Sequence, residues 1–138
     1  MILKMKSVQV SYGSFTAFSD FSLALEAGEM LSIIGSSGCG KTSLLYAIAN
    51  LLPISDGTIA LEGGSAQCSL MFQQDRLLPW KRIRENVTLG LGKEYREQGS
   101  ELLGLMGLSD KINSYPKQLS GGERQRVDLA RSLIRIPR

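Results

Sequence analysis

The run Gly35-Ser36-Ser37-Gly38-Cys39-Gly40-Lys41-Thr42 constrains this 138-residue chain more than any other feature. Glycine, four residues, glycine, lysine, then serine or threonine is the pattern of a loop that wraps a polyphosphate. Glycines let backbone N–H groups turn inward, and a helix starting where the loop ends adds a favourable dipole. Lys41 can reach β- and γ-phosphates, and the Thr42 hydroxyl can ligate Mg²⁺. The flanks agree. Met30 to Ile34 is a nearly continuous apolar run, as expected of a strand buried on both faces. Leu44, Leu45, Ile48, Leu51 and Leu52 then recur at helical spacing until Pro53. The order strand, glycine loop, helix predicts an α/β nucleotide-binding architecture. A dinucleotide fingerprint fits worse, because Gly38-x-Gly40 is followed by Ser43 where a third glycine or alanine belongs.

Elsewhere the pattern predicts strands at Val8 to Tyr12, around Phe21 to Leu25, at Thr58 to Leu61 and at about Cys68 to Phe72. After Gln73 the character turns helical: about Ile83 to Leu91, Glu94 to Met106, and Gly121 to Ile134. The last of these carries Val127, Ala130, Leu133 and Ile134 on one face. No internal repeat or linker interrupts the chain.

Composition excludes several classes. Hydrophobic residues are 43% and charged residues 21%, values of a globular chain rather than a disordered one. No apolar stretch reaches the ~18 residues of a membrane span, and no signal peptide is visible. Cys39 and Cys68 have no second pair and there is no histidine, which argues against zinc and suits reduced thiols in the cytoplasm. The missing histidine also removes the commonest general base. A net charge of +3 is too mild to imply nucleic acid. Lys117, Arg124, Arg126, Arg131, Arg135 and Arg138 face only Glu123 and Asp128, which reads as a solvated basic face or a contact for an acidic partner.

A second motif is Leu119-Ser120-Gly121-Gly122-Glu123. Its plain reading is a helix start, with Ser120 as N-cap and Glu123 completing a capping box. Two glycines in the first turn cost roughly 1 kcal/mol each against alanine. They make sense where backbone must approach something closely, such as a phosphate at the helix N-terminus.

A phosphate loop followed by Leu-Ser-Gly-Gly resembles the ATP-binding subunits of ABC transporters. Leu119 to Glu123 looks like that family's signature motif, with Glu123 where glutamine is commonest. Gln73, after Leu70-Met71-Phe72, looks like the glutamine of the Q-loop. Tyr12, in Val10-Ser11-Tyr12-Gly13, matches the aromatic that stacks on adenine; alone it reads as a half-buried strand tyrosine. Leu77-Leu78-Pro79-Trp80 resembles a stretch in importers of nitrate, sulfonates and taurine.

The resemblance implies an α/β P-loop NTPase fold of the ABC ATPase type, N-terminal part, with antiparallel strands and a helical subdomain. Residues 1–74 would form the ATP-binding core and about 75–120 the helical subdomain that meets a membrane permease. It implies ATP and Mg²⁺ as ligands, held by Tyr12, the loop Gly35, Ser36, Ser37, Gly38, Cys39, Gly40, Lys41 and Thr42, then Ser43 and Gln73, with Thr42 and Gln73 on the metal. Ser120, Gly121, Gly122 and Glu123 would serve a second nucleotide-binding domain's site in trans. Other partners implied are the permease and a solute-binding protein, at the inner face of the cell membrane, with no nucleic acid.

The family's Walker B aspartate, catalytic glutamate and switch histidine have no counterpart up to Ile136-Pro137-Arg138. The chain therefore reads as truncated before Walker B, with no catalytic residue of its own, and is expected to be inactive alone although the complete subunit is an ATPase. A non-hydrolysing nucleotide-binding module and a non-transport ABC protein are the alternatives.

Overall fold

Lys4 and Lys6 alternate with Leu3 and Met5, and past Ser7 the buried positions change phase to Val8 and Val10. A bulge causes the change. Ser7 takes a left-handed φ of 44°, its N–H bonds the Ser22 hydroxyl at 2.9 Å, and the register shifts between Met5 and Val8. One extra residue thus keeps both apolar pairs on one face. In the computed structural model, which describes residues 1–64 and 68–135, this strand is β1, Leu3–Tyr12. It pairs antiparallel with β2, Phe15–Leu25, and with β3, Asp56–Leu61, in the order β2-β1-β3.

The chain divides into two compact units, Met1–Cys68 and Ser69–Arg138. In the first, Leu44 and Ile48 of helix α1, Lys41–Ile48, pack with Leu3, Met5, Val8, Phe21 and Ile59. Helix α1 stops well before Pro53. Asn50 turns left-handed (φ 56°), and the Asn50 and Leu51 N–H groups bond the Ala47 and Tyr46 carbonyls at 3.1 and 2.8 Å. This pattern closes a helix C-terminus. Leu51, beyond this turn, and Leu45, within the helix, are both exposed, against the spacing that put them on the apolar face.

Two expected strands are absent. Met30 to Ile34 runs without strand hydrogen bonding, with Met30 fully and Ile34 93% exposed. Apolarity fits a run for burial, but a strand needs a ladder partner, and among the described residues none reaches it. Cys68 to Phe72 likewise forms no strand, so Gln73 follows irregular chain. Ile136 to Arg138, just ahead of the expected Walker B strand, lie outside the described residues.

The second unit holds α2, Ile83–Val87, α3, Tyr95–Leu105, and α4, Gly121–Leu133. Their core is Leu77, Ile83, Val87, Leu102, Leu103, Leu108, Leu119, Val127, Ala130 and Ile134. Leu133 points outward instead. Helix α2 is shorter than its pattern because the chain turns at Thr88–Leu91, where Gly90 is left-handed. Nor is the basic stretch simply a solvated face. Arg124 bonds Asp75 at 3.1 Å and the Leu119 carbonyl at 2.6 Å, while Arg131 bonds the buried Asp128 and the Arg76 carbonyl.

Candidate nucleotide-binding site

The Gly35 to Thr42 loop curls around its own lysine. The Lys41 ammonium donates to the Gly35 and Ser36 carbonyls at 2.8 and 2.7 Å and lies 3.4 Å from the Cys39 sulfur. Gly38 and Gly40 carry the turn at φ 80° and 93°, conformations that side chains disfavour. Gly40 is required a second time. A Cβ there would stand 3.0 Å from the Ala17 carbonyl and 3.3 Å from the Phe18 ring, so β2 closes against the loop.

Helix α1 begins at this point without a cap. Gly40 offers no side-chain acceptor, and the first turn holds no acidic residue. The N–H groups of Lys41, Thr42 and Ser43 thus lack carbonyl partners within the helix. Uncapped amides, a positive dipole end and an ammonium converge on the solvent-exposed loop, an arrangement suited to an anion. The Thr42 hydroxyl is exposed and unbonded among the described residues, as a Mg²⁺ ligand must be. No cluster of three acidic, histidine or cysteine groups exists among the described residues.

Tyr12 ends β1 beside this helix start. Its hydroxyl is 3.0 Å from that of Ser43, while 47% of the residue remains exposed. Across the hairpin its partner is Phe15, 60% exposed. Phe15 is a second aromatic at this edge that the sequence reading missed. Its signal was the Tyr12-Gly13-Ser14-Phe15 turn, which makes the two aromatics cross-strand neighbours. The first unit therefore gathers Tyr12, Ser43 and the whole loop.

Gln73 and the Leu119 to Glu123 motif belong to the second unit. Gln73 sits exposed in a bend, its side chain unbonded among the described residues. Ser120 and Glu123 form the expected capping box: Ser120 N–H donates to Glu123 Oε2 at 2.7 Å, and Glu123 N–H to Ser120 Oγ at 3.3 Å. The Ser120 amide, then its hydroxyl, hold the Glu123 carboxyl below its ordinary pKa, helped by Lys111 at 3.6 Å. The glycines between them have no internal reason. A Cβ on Gly122 would meet nothing within 4 Å, and one on Gly121 only the Arg124 guanidinium at 3.8 Å; neither has positive φ. Both residues are exposed.

Comparison with known proteins points the same way. A family model described as ABC transporter matches residues 18–138. The aliphatic sulfonates import ATP-binding protein SsuB of Yersinia pestis is 41% identical over 141 positions, covering 99% of this chain and 52% of that protein. SsuB 1 of Paraburkholderia xenovorans is 43% identical over 138 positions, with coverages of 98% and 41%. The chain spans about half the length of the curated relatives it matches. Among solved structures, an ATP-binding subunit of an ABC transporter superposes with a TM-score of 0.86 over 98% of this chain and 62% of its own; at 23% identity that likeness is one of fold. The ATP-binding cassette MJ0796, a dimer in a post-hydrolysis state bound to ADP and Pi, gives 0.82 at 29% identity, with coverages of 97% and 70%.

Proposed function

The chain belongs to the ABC transporter family, and we propose that it is the nucleotide-gripping part of an importer's ATP-binding subunit. The observation that carries this reading is the uncapped start of α1, where the Lys41 ammonium and left-handed Gly38 and Gly40 face an exposed loop. Lys41 and the α1 amides hold the β- and γ-phosphates of ATP, and Tyr12, anchored by Ser43, offers its ring to adenine. Thr42 and Gln73 hold Mg²⁺, which when bound neutralises phosphate charge.

The bare Gly121-Gly122 backbone supports a role outside this chain's own packing. In a head-to-tail pair with a second nucleotide-binding domain, Ser120, Gly121 and Gly122 contact the γ-phosphate held by the partner's loop. Glu123 keeps Ser120 in place through the Ser120 N–H. Closing on ATP and opening after hydrolysis then biases the permease between two states. Attachment to the inner face of the membrane runs through that permease. No described helix is long and apolar enough to cross a membrane. Residues 1–74 act as the ATP-binding core and about 75–120 as the helical subdomain facing the permease.

Relatives named for aliphatic sulfonate import support small sulfonate-like anions as cargo. The test assembles the polypeptide carrying this chain with a permease encoded beside it and measures ATP-dependent uptake of an alkanesulfonate, nitrate and taurine. Sulfonate uptake that stops with Lys41→Ala supports the reading. Uptake indifferent to that change sinks it.

A further inference from the structure

Three of the chain's four phenylalanines have ring contacts that account for them. Phe18 and Phe21 meet edge to face, centroids 5.9 Å apart, against the core of the first unit, and the Arg76 guanidinium lies 4.7 Å over the Phe72 ring. Phe15 is the exception. It is 60% exposed, and neither it nor its cross-strand neighbour Tyr12 stacks on another ring among the described residues. A single exposed phenylalanine is ordinary. The way this one is placed is not.

Strands β1 and β2 pair Val10 with Phe18 but Ser11 with Thr16, so Ala17 is an extra residue in β2. Continued without this bulge, the ladder would set Thr16 opposite Tyr12. With it, Phe15 takes that position and shares Tyr12's face of the sheet. The Tyr12 hydroxyl lies 3.0 Å from that of Ser43, so this face is the one turned to the start of α1. The bulged residue itself presents its carbonyl to Gly40, where a Cβ would stand 3.0 Å away. One inserted residue thus seats β2 against the phosphate loop and puts a phenyl ring, instead of a threonine, beside Tyr12. Bulges next to sites re-aim side chains in this way.

Chemistry selects the occupant. Ser43 engages the Tyr12 hydroxyl, which anchors that ring and leaves its face to offer, and Phe15 has nothing but a ring. Two bare aromatic rings receive a flat π-system. The base of a nucleotide is such a system, and the adjoining loop is suited to the phosphates at its other end.

We propose that Phe15 is a second base-contacting residue and that the Tyr12–Phe15 pair makes the site prefer purine to pyrimidine nucleoside triphosphates. A bicyclic purine spans both rings, whereas a pyrimidine covers one. The proposal deepens the nucleotide-binding reading and rests on it for where the phosphates lie.

The test displaces a ribose-labelled fluorescent ATP analogue from the polypeptide carrying this chain, using ATP, CTP or inorganic tripolyphosphate, each with Mg²⁺. The parent should bind ATP more tightly than CTP by about fivefold or more. Phe15→Ala should weaken ATP by about fivefold or more and bring the ATP-to-CTP ratio towards one, with tripolyphosphate unchanged within about twofold. Phe15→Trp should keep the preference, and Phe15→Leu, apolar but not aromatic, should lose it. A ratio that Phe15→Ala leaves unchanged overturns the proposal. So does an equal loss for tripolyphosphate, which would make Phe15 a prop for the loop. A change confined to nucleotide-free self-association, read by sedimentation, overturns it too and makes the patch a contact with a second copy. In each case the parent still binds ATP and tripolyphosphate and the subunit reading stands; a parent that binds neither overturns that reading instead.

Discussion

Asn86 grips Leu78 from both sides of its peptide: Oδ1 accepts from the Leu78 N–H at 2.7 Å while Nδ2 donates to the Leu78 carbonyl at 3.2 Å. The same Nδ2 is within 3.0 Å of the Lys81 carbonyl. One buried side chain thereby replaces a strand partner for an irregular loop, and its loss strands several polar groups at once. Asn86→Ala should lower the stability of the second unit by about 2–4 kcal/mol, read by urea unfolding. A change below about 0.5 kcal/mol would show that water satisfies the turn equally well.

Acid should loosen the start of α4. The Glu123 carboxyl is held below its ordinary value of 4.5 by the Ser120 amide and hydroxyl, and by Lys111. A depressed carboxylate contributes stability that is present above the unfolded value and lost as pH falls through the folded one. Glu123→Gln should therefore be less stable than the parent at neutral pH, and the gap should close as pH falls below the ordinary 4.5 and through the folded value. Thermal melts across that range check it, and a gap that widens in acid contradicts the capping geometry.

Ser120→Ala should separate two roles. Loss of the cap costs α4 roughly 0.5–2 kcal/mol. If the hydroxyl also serves a neighbour's γ-phosphate, ATP affinity of the monomer stays intact while ATP-driven dimerisation weakens. Sedimentation with and without Mg-ATP distinguishes these. Abolished monomer binding would put Ser120 in the same site as Lys41 and defeat the in-trans reading.

Gly122→Ala makes the complementary case. The added methyl enters open space, so the helix should gain roughly 0.5–1 kcal/mol. The same methyl obstructs close approach by a phosphate, so ATP-driven dimerisation should fall as stability rises. A variant that is both more stable and fully able to dimerise would remove the reason for two glycines.

Local chemistry explains what the sequence made legible. The Gly35 to Thr42 spacing, the Ser120–Glu123 box and the alternation in β1 are each written within a few residues and reappear in the structure. Long-range partners were the failure. Met30 to Ile34 has a buried strand's composition, yet composition says nothing of which ladder receives it. Pro53 appeared to end α1, but the left-handed Asn50 does so earlier, at a residue type that adopts this conformation more readily than most. Asn86 sits at an ordinary helix position, and only the fold brings Leu78 and Lys81 to it. Arg124, Arg131 and Arg135 looked free because several of their acceptors, Asp75 and the Arg76 and Leu89 carbonyls, lie far off in sequence.

The central claim is that the Lys41 loop grips a nucleotide's phosphates. Titrating a fluorescent ATP analogue with Mg²⁺ against the parent and Lys41→Ala tests it most directly. Lys41 is the only charged residue of the loop, and its charge-assisted bonds to phosphate should make the substitution cost about tenfold or more in affinity. Equal affinities for the two proteins would contradict the assignment.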